Sequence, residues 1–235
     1  MGRCKMATYS DERKRLKNNY RKEEKVVMRL HVVFCKLLTI GMLAAAFPAW
    51  AADSPMELIR STTERARAAL QDPAYQGDNR RQARVDKVKE ILLPQFDSPE
   101  LAKRTLGPYW GDRTDAQKKE FTQLFIQLIE KTYSGALDRY NADVKFFYDQ
   151  ERVDGDFAEV DTRIFDPVQN RTFSINYHLH KVDGKWLIYD IVAENVSLVR
   201  NYRNQFNRIL SKSSYEDLVQ TIQAKLKQLS TPSPS

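Results

Sequence analysis

KWLIYDIVAENVSLVRNYRNQFNRIL, residues Lys185–Leu210, reads as a strand that hands over directly to a helix. Trp186, Ile188 and Val192 alternate with Leu187, Tyr189 and Ile191, and period-two alternation of aromatic and β-branched residues is a strand signal. Both faces are apolar, so each needs a cover. The period then changes. Val196, Val199, Tyr202, Phe206, Ile209 and Leu210 recur at three- and four-residue steps, which is one helix face. Asn195 or Ser197 is placed to cap that helix.

Working upstream, the connections Val153-Asp154-Gly155-Asp156, Asp166-Pro167-Val168-Gln169-Asn170 and Val182-Asp183-Gly184 are short and rich in turn residues. They separate four strands, at 144–150, 157–165, 171–181 and 185–194, and favour antiparallel neighbours. The third strand alternates cleanly, with Phe173, Ile175, Tyr177 and Leu179 on one face and Thr172, Ser174, Asn176, His178 and His180 on the other. One face is buried and one is wet.

Helical patterns precede the strands. Ser54-Pro55-Met56-Glu57 is a capped start, and its helix runs to about Leu70. A second spans 80–93, with Val85, Val88, Ile91 and Leu92 on its apolar face. Ser98-Pro99-Glu100 opens a third. Thr114-Asp115-Ala116-Gln117 is a capping box that opens the longest, to about Tyr140. Phe121, Leu124, Phe125, Leu128, Thr132, Ala136 and Tyr140 mark its main face, which Ile129, Tyr133 and Leu137 widen; a stripe this broad is more often core than ligand wall. Beyond residue 210, Ser214-Tyr215-Glu216-Asp217 starts a last amphipathic helix carrying Leu218, Ile222, Leu226 and Leu229, and residues 231–235 read as a disordered Pro/Ser tail. Helices, then an antiparallel sheet, then helices define an α+β fold: a four-stranded antiparallel sheet wrapped by N- and C-terminal helices.

The formal net charge of +7 misleads. Of 38 Lys+Arg and 31 Asp+Glu, residues 1–51 hold 11 and 4, which leaves 27 of each from Ala52 onward. A neutral body implies no nucleic-acid surface. Cys4 and Cys35 also lie in the first 51 residues, so the body has no disulfide, cysteine nucleophile or zinc–thiolate site. Met28–Ala51 has the form of a secretory signal peptide: Arg29 and Lys36, an uncharged apolar run from Leu37 to Phe47, Pro48, and Ala49-Trp50-Ala51 as an A-x-A cleavage pattern. The run is short for a membrane span. Residues 1–27 are polar and are read as a non-native extension from an early start, with Met28 as the true start. Residues 52–230 form a single domain by size.

No Gly-rich phosphate loop, G-x-S-x-G elbow or H-E-x-x-H helix is present. His178 and His180 share a strand face within reach of Asp161 or Asp190 on an adjacent strand, a candidate metal trio, but spacing fixes no third ligand. Asp190 interrupts an apolar strand. It is either the base of a small isomerase- or dehydratase-like enzyme or, the reading favoured, the partner of Arg200 or Arg203 on the following helix.

The W-x-x-Y-D-I at 186–191 followed by V-S-L-V-x-N-Y-R-x-Q-F at 196–206 resembles the MlaC family, also labelled toluene-tolerance proteins. The resemblance covers essentially the whole body, through Phe96-Asp97, Leu106-Gly107, Trp110, Gln117, Phe121, Phe125, Thr132-Tyr133 and the Tyr177 strand. One departure is visible: Ala193-Glu194-Asn195 stands where a glycine is expected before V-S-L. The resemblance implies a periplasmic carrier, not an enzyme, that holds a glycerophospholipid as cargo, needs no cofactor or metal, and acts as a monomer. Its implied partners are an outer-membrane lipoprotein–porin complex and an inner-membrane ABC transporter.

Burying acyl chains is worth about 0.8 kcal/mol per CH₂, so two chains of roughly fifteen carbons total on the order of 24 kcal/mol. A surface patch cannot offset that, whereas a deep apolar cavity can. The expected cavity lies between sheet and helices, with walls from Phe121, Phe125, Leu128, Tyr133, Phe147, Val160, Ile164, Phe173, Ile175, Tyr177, Ile188, Val196, Val199, Tyr202 and Phe206.

Overall fold

The computed structural model describes residues 54–138 and 144–230. Among them six α-helices and one sheet follow in the order α1 (Pro55–Gln71), α2 (Arg81–Leu92), α3 (Ser98–Leu106), α4 (Asp115–Asp138), β1 (Lys145–Asp154), β2 (Phe157–Asp166), β3 (Arg171–Val182), β4 (Lys185–Ala193), β5 (Val196–Ser197), α5 (Leu198–Leu210) and α6 (Tyr215–Ser230). The leader, Tyr140 and the tail at 231–235 lie outside the described residues, as do the side chains of Ala136 and Leu137. No helix among the described residues is long and apolar enough to cross a membrane.

Side-chain caps fix where the helices begin. Ser54 Oγ accepts from the Glu57 amide ahead of α1. Thr114 Oγ1 accepts from the Gln117 amide while Gln117 Oε1 accepts from that of Thr114, a reciprocal box at α4. Ser214 and Asp217 do the same at α6. At α3 the cap is Asp97 rather than Ser98: Asp97 Oδ1 accepts from the Glu100 amide at 2.9 Å.

The sheet is an antiparallel meander in the order β1-β2-β3-β4-β5. It has five strands, not the four expected. The sequence reading ran the fourth strand straight into the helix. Instead Glu194 and Asn195 adopt φ of 49° and 65° and form a two-residue turn, after which Val196 and Ser197 pair back on Ala193 and Val192. Positive φ at both central positions is the turn that matches strand twist. Asn tolerates it and Glu does not readily, so the missing glycine hid this hairpin. A bulge also changes the parity of β4. His178 pairs with Asp190 and Leu179 with Ile188, leaving Tyr189 as the extra residue. Trp186, Ile188, Ile191 and Ala193 therefore share the inner face, where simple alternation had put Val192.

The buried core is split in three. α3, α4, α5 and α6 enclose one cluster around Leu106, Phe121, Phe125, Phe206 and Leu218. The inner sheet face packs Val160, Leu179, Trp186 and Ile188 against Ile59 of α1. A small cluster of Ala69, Leu70 and Val88 joins α1 to α2. Phe96, in the α2–α3 connection, touches the first two. An isolated bridge to Ile188 and the Asp97 amide, which donates to the Ile188 carbonyl at 2.9 Å, hold it there.

Candidate ligand cavity

A cavity of about 450 Å³ lies where these clusters fail to meet. Ile126, Ile129, Glu130 and Tyr133 of α4 line it, at helical spacing along one stripe. The opposite wall is Ile191 and Ala193 of β4, Val196 of β5, and Leu198 and Asn201 of α5. Leu93, Phe96 and Leu101 close the remaining side. Leu101 is 1% exposed, whereas Tyr133 and Val196 are 49% and 57% exposed, so the last two mark the mouth. The lining is apolar apart from Glu130, Asn201 and the Tyr133 hydroxyl.

Register places further apolar residues on the sheet face of Ile191 and Ala193. Ile191 is opposite Tyr177, which is opposite Val160; Ala193 is opposite Ile175, which is opposite Thr162; Phe173 is opposite Ile164. Cross-strand partners share a face at about 5 Å. Ile164, Phe173, Ile175 and Tyr177 are half-buried, an apolar patch that continues the Ile191–Ala193 wall. Burial pushes the Tyr177 hydroxyl up to about 12 and raises those of Tyr148 and Tyr133 from their usual 10.0.

The expected walls thus fall into separate places. Tyr133 and Val196 line the cavity. Ile164, Phe173, Ile175 and Tyr177 share the sheet face of Ile191 and Ala193 but do not line the cavity. Val160 and Ile188 are packed under α1. Phe121, Phe125, Leu128, Val199, Tyr202 and Phe206 fill the helical core instead, with Phe125 ring-to-ring at 5.1 Å from Tyr202 and 5.8 Å from Phe206. Phe147 is on the other sheet face, opposite Arg163, whose guanidinium lies 5.5 Å from its ring. Sequence reasoning does not reach Leu93, Phe96, Leu101, Ile126, Ile129, Glu130, Ile191, Ala193, Leu198 and Asn201. A second stripe on the long helix, Ile126–Ile129–Tyr133, was the available signal.

The polar candidates have structural partners. Asp190 Oδ2 accepts from Ser197 Oγ at 2.6 Å and Oδ1 from the Val199 amide at 3.0 Å. Both oxygens therefore serve the first turn of α5, and neither Arg200 nor Arg203 is the partner expected. Arg203 Nε donates to the Arg104 carbonyl and Arg200 to that of Asn195. His180 Nε2 lies 2.9 Å from Asp97 Oδ2, and His178 Nε2 is 3.7 Å from Glu159. Among the described residues no three His, Cys, Asp or Glu side chains gather as a metal site.

The fold and this opening define an α+β domain with an apolar berth between sheet and helices. Residues 60–224 match the MlaC protein family, and the chain belongs to it. It is 25% identical over 144 residues to the intermembrane phospholipid transport system binding protein MlaC of Haemophilus influenzae, which spans 60% of this chain and 67% of that protein. It shares its fold, at a TM-score of 0.68 and 23% identity over 76% of this chain and 99% of the other, with a phospholipid-binding protein from Ralstonia solanacearum solved in complex with a phospholipid.

Proposed function

We propose that this chain is a periplasmic carrier that takes up glycerophospholipid in the cavity and moves it between the outer and inner membranes as the soluble component of an ABC-type lipid transport system. The observation that carries the reading is the apolar cavity of about 450 Å³, open at Tyr133 and Val196, in a member of the MlaC family. The relative's role in intermembrane phospholipid transport and the phospholipid in the solved structure support it. The leader at 28–51 supplies export, and an inner-membrane ABC transporter and an outer-membrane lipoprotein–porin complex are the partners this role requires. No step of it needs an enzyme, a metal or a cofactor.

The volume suits hydrocarbon. At about 30 Å³ for each water-sized group, 450 Å³ admits on the order of fifteen such groups, the length of one acyl chain. The half-buried patch of Ile164, Phe173, Ile175 and Tyr177 gives a second chain its surface. At about 0.8 kcal/mol per buried CH₂, such a berth competes with a bilayer without exceeding it, so cargo can enter and leave.

Native mass spectrometry of the protein purified from cells tests this directly. The expected spectrum carries a phospholipid adduct, and vesicles of the same lipid reload the delipidated protein. A protein that purifies empty and stays empty after incubation with vesicles removes the carrier role.

A further inference from the structure

Glu130 is the charged member of the cavity lining. It stands three residues before Tyr133 on α4, so it belongs to the turn that reaches the mouth. Lys89 of α2 reaches across to it, with Nζ 2.8 Å from Oε2. Both side chains keep contact with water, at 35% exposure for Lys89 and 20% for Glu130. The apolar side of α2 is committed elsewhere, since Val88 packs on Ala69 and Leu70 of α1. One cation and one anion thus sit side by side at the rim of an otherwise apolar space.

We propose that Lys89 and Glu130 form a headgroup subsite for zwitterionic glycerophospholipids, in which the lysine ammonium takes the phosphate and the glutamate takes the headgroup amine. The proposal rests on the carrier reading above. Tails held in the cavity leave the phosphate at its opening, within reach of a flexible lysine with three donors. The lipid's own charges then replace the bridge in mirror order: one ion pair within the protein becomes two between protein and lipid, and no charge is left over. A headgroup with a phosphate but no amine breaks this exchange. Once Lys89 turns to the phosphate, Glu130 loses its partner beside an apolar wall, which works against that lipid. Glu130 therefore selects among headgroups, and Lys89 separates phospholipids from neutral lipids.

The test loads delipidated protein from vesicles containing equal amounts of phosphatidylethanolamine, phosphatidylglycerol and diacylglycerol with matched chains, and counts bound lipids by mass spectrometry. Wild type is expected to favour phosphatidylethanolamine over phosphatidylglycerol by roughly fivefold, the upper end for one ion pair at a partly exposed site. Glu130→Gln levels that ratio. Lys89→Met lowers uptake of both phospholipids severalfold and leaves diacylglycerol uptake as it was, while Lys89→Arg restores the phospholipids. Thermal unfolding of each variant confirms that the domain is intact. A wild-type ratio equal to that in the vesicles, or one that Glu130→Gln does not move, overturns the headgroup assignment while leaving the carrier intact. Failure to load any of the three lipids removes the carrier itself. Inorganic phosphate alone, titrated by calorimetry, shows no binding that depends on Lys89; if it does, the site is for free phosphate and the assignment fails.

Discussion

Ser197 donates its hydroxyl to the Asp190 carboxylate across 2.6 Å, and its own oxygen accepts the Arg200 amide at 3.0 Å. Asp190 in turn accepts the Val199 amide. The two residues therefore serve two of the first amide donors of α5 between them, and the acid places negative charge at the positive end of that helix. This small network ties the last long strand to the covering helix across the Glu194–Asn195 turn. It also sets the direction in which Leu198 and Asn201 approach the cavity.

Asp190 is 7% exposed, so weakening this network is costly. Asp190→Asn removes the charge and turns one acceptor into a donor. A loss of about 1–3 kcal/mol in chemical denaturation is expected, the range for leaving a buried polar group unsatisfied. Lipid content per folded molecule should not change. Full stability combined with an abolished activity on a small substrate would instead restore the enzyme reading of this residue.

Glu194 yields a pH dependence with a definite sign. Its carboxylate accepts from the Ser174 amide at 2.7 Å and from Arg171 at 3.1 Å, and these contacts hold its pKa below the ordinary 4.5. A carboxyl whose folded pKa is depressed contributes stability above its unfolded value and loses it as pH falls through the folded value. Wild type should therefore melt above Glu194→Gln at pH 7, and the gap should close as pH falls below 4.5. A gap that does not vary with pH would mean these contacts do not survive in solution. Glu194 also sits at positive φ, so Glu194→Gly relieves backbone strain while losing the same bonds, and should fall between the other two at neutral pH.

Periodicity and turn chemistry made most of this fold readable. The reciprocal caps at Thr114 and Ser214 set helix starts, and Asp183-Gly184, both at positive φ, set the β3–β4 hairpin. What stayed hidden beside the cavity were two places where parity changes without a glycine or proline to announce it. The bulge at Tyr189 exchanges Val192 for Ile191 on the inner face, and the Glu194–Asn195 turn makes a strand of Val196 and Ser197. Both alter the cavity wall, so the expected lining drifted toward the helical core. Alternation counts residues along one strand, whereas the face a residue occupies depends on its neighbour across the ladder. The aromatic stripe of the long helix misled for a different reason: large rings score alike whether they fill a core or border a void. Only the surroundings of each position distinguish the two: Phe125 is ringed by Phe121, Tyr202 and Phe206, whereas Ile126 and Tyr133 border the void.

That difference is itself testable with three substitutions. Phe125 is fully buried among Phe121, Tyr202 and Phe206, so Phe125→Ala should cost about 3–5 kcal/mol in denaturant. The void it leaves is enclosed by Phe121, Tyr202 and Phe206, none of which lines the larger cavity, so folded protein should carry as much lipid as wild type. Ala193 is exposed and lines the cavity near its mouth. Ala193→Trp puts a ring over the opening, with a stability change within about 0.5 kcal/mol as for other surface positions. Its bound lipid, counted by mass spectrometry against protein, should fall severalfold. Tyr177→Trp probes the same question on the neighbouring strand: lowered lipid there means that the acyl chains run along the sheet past Ile191. If Phe125→Ala empties the protein while Ala193→Trp and Tyr177→Trp leave it loaded, the hydrocarbon lies among the helices instead, and the cavity between β4 and α4 holds none of it.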